Sequence, residues 1–258
     1  MIGLSRHLLS KVSNGRTAIV TGASKGLGAG IATALAESGA AVVVNYRGDA
    51  QGAERVVAGI TAKDGRAIAV QADVASSDDV RRLFDRAREV FGPVDVLVNN
   101  AAVGTFAPLS SITEDEFQRE MTTNLLGTIL TTQALAAQDD IDAASIINVS
   151  TAGTLSHPPY ASLYVASKSA VNAFTIVASK ELGPRGIRVN AIMPGPSDTD
   201  GTRAMGYVGS DHEAQAIAAT PLGRTGSPDD YGPLVAFLAS DDARWITGDV
   251  ILASGGLR

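Results

Sequence analysis

Residues 17–38 read Thr17-Ala18-Ile19-Val20-Thr21-Gly22-Ala23-Ser24-Lys25-Gly26-Leu27-Gly28-AGIATALAES. A short β-branched apolar run passes through a turn with glycines at 22, 26 and 28 into a stretch whose apolar residues recur at helical spacing. Strand, glycine turn and helix in direct succession mark the opening unit of an α/β sheet. Glycines at such a turn let a ligand's phosphates approach the backbone, and the helix N-terminus behind them presents N–H groups and a partial positive charge.

Outward from that unit the pattern repeats. Further β-branched runs lie at 41–46, 67–72, 94–99, 145–150, 187–193 and 249–252, which makes seven strands with 17–21. Amphipathic stretches between them predict helices over 27–38, 50–63, 77–90, 114–137, 163–182 and 229–240. Thr113 and Glu116 at the fourth helix form a capping-box pattern. Strands that are apolar almost throughout are those of a parallel sheet covered on both faces. The expected fold is therefore a Rossmann-type, doubly wound parallel α/β sheet of about seven strands. Residues 1–15 read as an N-terminal arm and 16–258 as a single domain. The segment 196–228, rich in Gly, Pro, Ser and Asp, reads as a long loop that would act as a lid.

Composition narrows the function. The 258-residue chain carries a formal net charge of -6, which gives no electrostatic footprint for nucleic acid or an anionic membrane surface. It has no cysteine, which excludes disulfides, thiolate chemistry and Cys-based zinc sites. His7, His157 and His212 are scattered, against a histidine-built metal site, so no metal is expected. There is no apolar run long enough to span a bilayer and no signal-peptide pattern, so a cytoplasmic enzyme with no membrane partner is expected.

Two constellations carry chemistry. At the end of the second strand, where a carboxylate would bind a ribose 2′-hydroxyl, stand Tyr46 and Arg47, and no carboxylate follows until Asp49. With Lys25 in the glycine turn, Arg47 would suit a 2′-phosphate; the plain alternative is two solvated surface charges. Tyr164 and Lys168 lie four apart at the start of a helix and share one face. A cation ~4 Å from the phenol at effective dielectric ~20 would favour the phenolate by at most ~4 kcal/mol, roughly three pKa units, bringing a group of ordinary pKa ~10 near neutral pH. That predicts a general acid/base.

These motifs together closely resemble the short-chain dehydrogenase/reductases, in their single-domain branch similar to 3-oxoacyl-carrier-protein reductases and naphthol reductases. The resemblance runs from about residue 15 to the C-terminus and rests on the TGASKGLG turn, Asn99-Asn100-Ala101-Ala102, Tyr164-x3-Lys168 and Pro194-Gly195. It implies an NADP(H) site made by Gly22, Ser24, Lys25, Gly26, Leu27, Gly28, Tyr46, Arg47, Asp73, Val74, Asn100, Ala101, Tyr164, Lys168, Pro194, Gly195 and Thr199. Asn99 would steady the central strand, although Asn99 and Asp73 would equally serve as local caps. The implied catalytic set is Asn124, Thr151, Tyr164 and Lys168. Asn124 would help hold a relay water, or simply pack as a buried amide. The family's substrate-orienting serine, thirteen positions before the tyrosine, is Thr151 here, with Ser150 beside it. Another departure is Ala253-Ser254 in the closing motif, where Val-Asp is usual.

The activity implied is hydride transfer between nicotinamide and a small-molecule carbonyl or secondary alcohol, in a homotetramer. Alternatives are a sugar or polyol dehydrogenase preferring NAD, and a non-catalytic dinucleotide-binding protein. Residues 200–216 and the loop 155–160 would line the substrate pocket.

Overall fold

The computed structural model describes residues 15–258. The arm expected over 1–15 therefore lies, apart from Gly15, outside the described residues. In chain order the elements are β1 (Thr17–Val20), α1 (Gly26–Glu37), β2 (Ala41–Tyr46), α2 (Ala50–Thr61), β3 (Arg66–Gln71), α3 (Ser77–Phe91), β4 (Val94–Asn99), α4 (Glu114–Met121) and α5 (Gly127–Ala136). They continue with β5 (Ala144–Val149), α6 (Gly153–Ser156), α7 (Ser162–Leu182), β6 (Ile187–Pro194), α8 (Asp200–Ala204), α9 (Asp211–Ala219), α10 (Pro228–Ala239) and β7 (Val250–Ala253).

The seven strands form one parallel sheet in the order β3-β2-β1-β4-β5-β6-β7. This is the doubly wound Rossmann-type arrangement. Strand order reverses between β1 and β4, and a crevice opens there at the carboxyl ends of the strands. Period-2 alternation sorts the strand residues between two cores. Ala18, Val20, Val42, Val44, Val96, Val98, Ile147 and Ile192 face α1 and α10. Ile19, Val43, Leu97, Ile146 and Val189 face α3, α5 and α7. Each fully buried Val, Leu or Ile contributes about 1.5–3 kcal/mol of transfer free energy. Glycines allow α1 and α10 to approach closely: a Cβ on Gly30 would lie 2.6 Å from Pro228 Cβ, and one on Gly232 2.6 Å from Ala34 Cβ.

The Thr113–Glu116 capping box forms, with Glu116 N donating to Thr113 Oγ1 at 3.2 Å and Thr113 N to Glu116 Oε2 at 2.9 Å. Two sequence expectations need correction. The helix expected as one piece over 114–137 is interrupted at Thr122–Leu126 by a π turn that contains Asn124. Such a turn inserts one residue into the repeat and shifts the apolar phase after it by a single position. The segment 196–228 is also better organised than its composition suggests, because it contains α8 and α9. Its Ser and Thr residues act as caps: Thr199 accepts from Thr202 N and Ser210 from Glu213 N.

Candidate active site

Side chains from β2 and the β4 loop hold the glycine turn in place. Thr21 Oγ1 accepts from Asn100 N at 2.9 Å and Ala101 N at 3.0 Å. Asn100 Nδ2 donates to the carbonyls of Thr21 at 2.8 Å and Gly22 at 3.1 Å. Asn45, a polar residue buried in β2, accepts from Gly22 N through Oδ1 at 3.2 Å. A Cβ at Gly28 would lie 2.5 Å from Asn100 Nδ2, and one at Gly22, whose φ is +61°, 2.8 Å from Ala101 Cα. Neither position has room for a side chain. Lys25 N-caps α1 with no side-chain hydrogen bond, and the first turn has no acidic residue. The turn thus offers a glycine cradle at a helix N-terminus, which fits a dinucleotide's phosphates, with the first N–H of the helix, that of Gly26, donating to Asp200 Oδ2.

At the end of β2, Tyr46 is half-buried and Arg47 exposed. Arg47 Nε pairs with Asp73 Oδ2 at 3.0 Å, so this guanidinium is already engaged at the edge of the crevice. Asp73 Oδ1 also accepts from Ala75 N at 3.0 Å. Buried Val74 lies against the backbone of Gly127, where a Cβ would come 2.7 Å from Val74 Cγ2. Asp49 caps α2 by accepting from Gly52 N at 2.9 Å. That bond, with help from Ser24, Arg55 and Lys25, holds its carboxyl below the usual range.

Tyr164 is on the first turn of α7, and Lys168 follows one turn later. Lys168 is buried and its Nζ donates to Val149 O at 2.7 Å. The ammonium stands 6.0 Å from the centroid of the tyrosine ring. Here the structure reverses an expectation. Burial, with the carboxylate of Glu120 adding to it, pushes the Tyr164 phenol up to about 12, while burial brings Lys168 down to about 8. Desolvation disfavours the charged form of each group, which raises the phenol and lowers the ammonium.

Beyond β5, Ser150 N donates to Ile192 O and Ala152 N to Pro194 O, both at 2.8 Å, continuing the ladder with β6. Ser150 is buried, with its hydroxyl directed at Lys168 O at 3.4 Å. Thr151 is half-buried, and its Oγ1 accepts from Gly153 N at 3.1 Å. The two hydroxyls therefore occupy different environments. The Asn124 side chain is fully buried and saturated within the protein: Oδ1 accepts from Val103 N at 2.9 Å, and Nδ2 donates to Val103 O at 2.8 Å and Ser167 Oγ at 2.9 Å. Asn99 is tied to Asn148 at 2.9 Å and to Thr131 at 2.7 Å, an internal polar link between β4, β5 and α5.

On the far side, the Pro194–Gly195 turn backs onto Ser254, whose Cα would be 2.8 Å from a Cβ at Gly195. The Thr199 hydroxyl belongs to the α8 capping box. Asp200 Oδ2 accepts from Gly26 N at 3.0 Å and so ties α8 to the glycine turn. His157 and Tyr160 adopt positive φ of 48° and 66° in the exposed stretch before α7.

A family model described as enoyl-(acyl carrier protein) reductase matches residues 22–258. The chain is 52% identical to an uncharacterised oxidoreductase of Methylorubrum extorquens, over 95% of this chain and 98% of that protein. This protein belongs to the short-chain dehydrogenase/reductase family. It is also 41% identical to a 3-oxoacyl-[acyl-carrier-protein] reductase of Staphylococcus epidermidis, over 94% of this chain and 98% of that one. A short-chain dehydrogenase of Burkholderia cenocepacia, crystallised in complex with NADP, superimposes with a TM-score of 0.88 at 37% identity, covering 95% and 98% of the two chains. The fold and the oxidoreductase class follow from that membership.

Four residues of this short-chain dehydrogenase/reductase site escaped sequence reading. Asn45 was hidden in an apolar run, although a lone amide in a buried strand is a signal in itself. Ser167 and Asp200 carry no signal without their distant partners. Glu120 sits among Glu, Arg and Gln in a stretch that reads as a solvated helix face.

Proposed function

We propose that the protein is an NADP(H)-dependent reductase acting on a ketone or 3-oxoacyl carbonyl, with Tyr164 as general acid/base. The observation that carries the reading is the bond from Lys168 Nζ to Val149 O at 2.7 Å, which fastens α7, one turn past Tyr164, to the last residue of β5, two positions before Thr151. In this reading Lys25 and Arg47 take the 2′-phosphate and the glycine turn takes the pyrophosphate. Thr199 and the Pro194–Gly195 turn border the nicotinamide, with Asp73, Val74, Asn100 and Ala101 lining the rest of the site. When bound, the dinucleotide supplies the hydride. Tyr164 gives its proton to the substrate oxygen, and Thr151 donates a hydrogen bond to the same atom. Lys168 steadies the phenolate left behind. Asn124 acts through its side-chain bonds, holding the 103 loop and α7 in register.

One observation favours a second reading, use of NAD(H). Asp49 stands near Ser24 and Lys25, where a carboxylate could reach a ribose hydroxyl. The test is kcat/KM for NADPH and NADH with a diketone. NADPH is expected to win, and Arg47→Asp to lower the NADPH/NADH ratio by about ten- to a hundredfold, the loss of one charge-assisted contact of about 1.5–3 kcal/mol. A native preference for NADH, or an unmoved ratio in the variant, would overturn the assignment.

The reading extends to a cytoplasmic homotetramer. Among the described residues no helix is long and apolar enough to cross a membrane. Small residues at 134–137 and 170–174, on the helices expected over 114–137 and 163–182, would suit a close subunit contact, but Leu135 and Val171 among them lie within the protomer core. The exposed apolar residues on these helices are instead Phe117, Leu126, Ile176 and Val177. Symmetric closure over such a surface is the common outcome. Light scattering is expected to return four times the chain mass of 26.4 kDa, and a monomer at working concentration would refute the assembly.

A further inference from the structure

We propose that Asn172 is a positioning residue for the Thr151 hydroxyl: acting through Thr154, it locks the turn after β5 against α7 and so fixes where that hydroxyl stands relative to Tyr164. This rests on the reading of Thr151 as the donor to the substrate oxygen.

Thr151 opens the turn that leads from β5 into α6. Its carbonyl accepts from Thr154 N at 3.2 Å and from Thr154 Oγ1 at 2.9 Å, and its own Oγ1 accepts from Gly153 N at 3.1 Å. These bonds shape the turn internally, but they do not tie it to the helix that carries Tyr164. Asn172 supplies that tie. It lies on α7, one turn beyond Lys168, and its Nδ2 donates to Thr154 Oγ1 at 3.2 Å. A hydroxyl has one proton and two lone pairs. Thr154 can therefore give its proton to the Thr151 carbonyl and accept from Asn172 at the same time.

On the other side of Thr151, Lys168 Nζ donates to Val149 O at 2.7 Å, and the Ser150 hydroxyl is directed at Lys168 O at 3.4 Å. Helix α7 thus grips the chain before Thr151 through Lys168 and after it through Asn172. Tyr164 is carried by that same helix, whereas Thr151 is carried by the end of a strand, and the two must address one oxygen. A donor to a developing oxyanion works at full strength only when it is placed to within a fraction of an ångström.

Stability alone does not account for an asparagine at 172. Its Oδ1 is enclosed and has no hydrogen-bond partner among the described residues. A buried amide oxygen left unpaired is costly. The neighbouring Met193 Sδ, on β6, lies 3.8 Å from Asn172 Nδ2 and 3.2 Å from Thr154 Oγ1, and a thioether is a weak acceptor. Leucine, of nearly the same shape, would fill the place without the orphaned oxygen. What leucine lacks is the donor to Thr154, so the side chain keeps a costly amide for one directed bond toward the turn of Thr151.

Two variants cut the link at its two ends. Asn172→Leu keeps the shape and removes the donor, and Thr154→Val removes the hydroxyl that receives it. Each is made alone, with the other, and in a Thr151→Ala background, and the reduction of 2,3-butanedione with NADPH is followed. Each single variant is expected to lower kcat about tenfold, the cost of a sub-ångström misplacement, with KM for NADPH unchanged. The pair together should lose no more than the worse of the two, because both break one chain of bonds. In the Thr151→Ala background Asn172→Leu should cost nothing further, since the hydroxyl it positions is gone. A general loosening of the fold would lower the residual activity of that background as well. Should Asn172→Leu fail to fold, Asn172→Ala removes the same donor from this half-buried position. A wild-type kcat in the residue-172 variant, or the same tenfold loss with and without Thr151, overturns the inference. Wild-type turnover in Thr151→Ala itself would instead overturn the parent reading, so the two failures are distinguishable.

Discussion

Tyr164→Phe is expected to lower kcat for carbonyl reduction by about 10²–10⁴-fold, the usual contribution of a positioned general acid. The substitution removes one oxygen and keeps the ring. The contacts with Gly104 and Phe106 are made by ring atoms, so the wall of the site should stand. The Lys168 ammonium keeps its bond to Val149 O, which does not involve the phenol. NADPH affinity, measured by fluorescence titration, should therefore change little, and thermal unfolding should remain a single transition near the wild-type midpoint. The loss then lies in the proton-transfer step. Retention of wild-type turnover would mean that a different group supplies the proton.

The second large effect separates two adjacent hydroxyls. Thr151→Ala is expected to reduce kcat by about 10²–10³, or about 2.7–4 kcal/mol, the cost of removing one donor to a developing oxyanion. Thr151→Ser should keep most of the activity, because the donor remains and only the stiffness of χ1 is lost. Ser150→Ala should act mainly on stability, by about 1 kcal/mol for one buried hydroxyl contact. The geometry supports this division. The backbone N–H groups of residues 150 and 152 both bond to β6, and Ser150 is turned inward to the carbonyl of Lys168. Thr151 faces the other way and accepts from Gly153 N, which leaves its proton available to a ligand. Steady-state kinetics and denaturant unfolding on the three variants decide the matter. Abolished turnover in Ser150→Ala with an active Thr151→Ala would shift the assignment by one residue.

The comparison of sequence with structure follows the range of the interactions concerned. The seven strands fall within a residue or so of their expected limits, because a buried parallel strand needs an unbroken apolar run and that run is local. The capping box at Thr113 was readable for the same reason, its partners being three residues apart. The π turn at Asn124 was not readable, since one inserted residue shifts the apolar phase by a single position, within the scatter of a short helix. Nor were the helices of 200–219, whose caps share the composition of a loop.

The sequence by itself determined the doubly wound sheet, the glycine turn where a helix begins, and the spacing that puts Tyr164 and Lys168 on one helical face. All of these are set by period and by steric rules acting over a few residues. Only the tertiary structure decided the chemistry those residues meet. Asp200 reaches Gly26 across 174 positions, and Asn124 finds Ser167 across 43. Glu120, drawn from an apparently solvated helix, is enclosed. Tyr164 is itself stripped of water, so its phenol is driven up rather than down, with Glu120 as the second cause. Burial and the sign of neighbouring charge depend on what packs around a group in space, and spacing along the chain does not encode that.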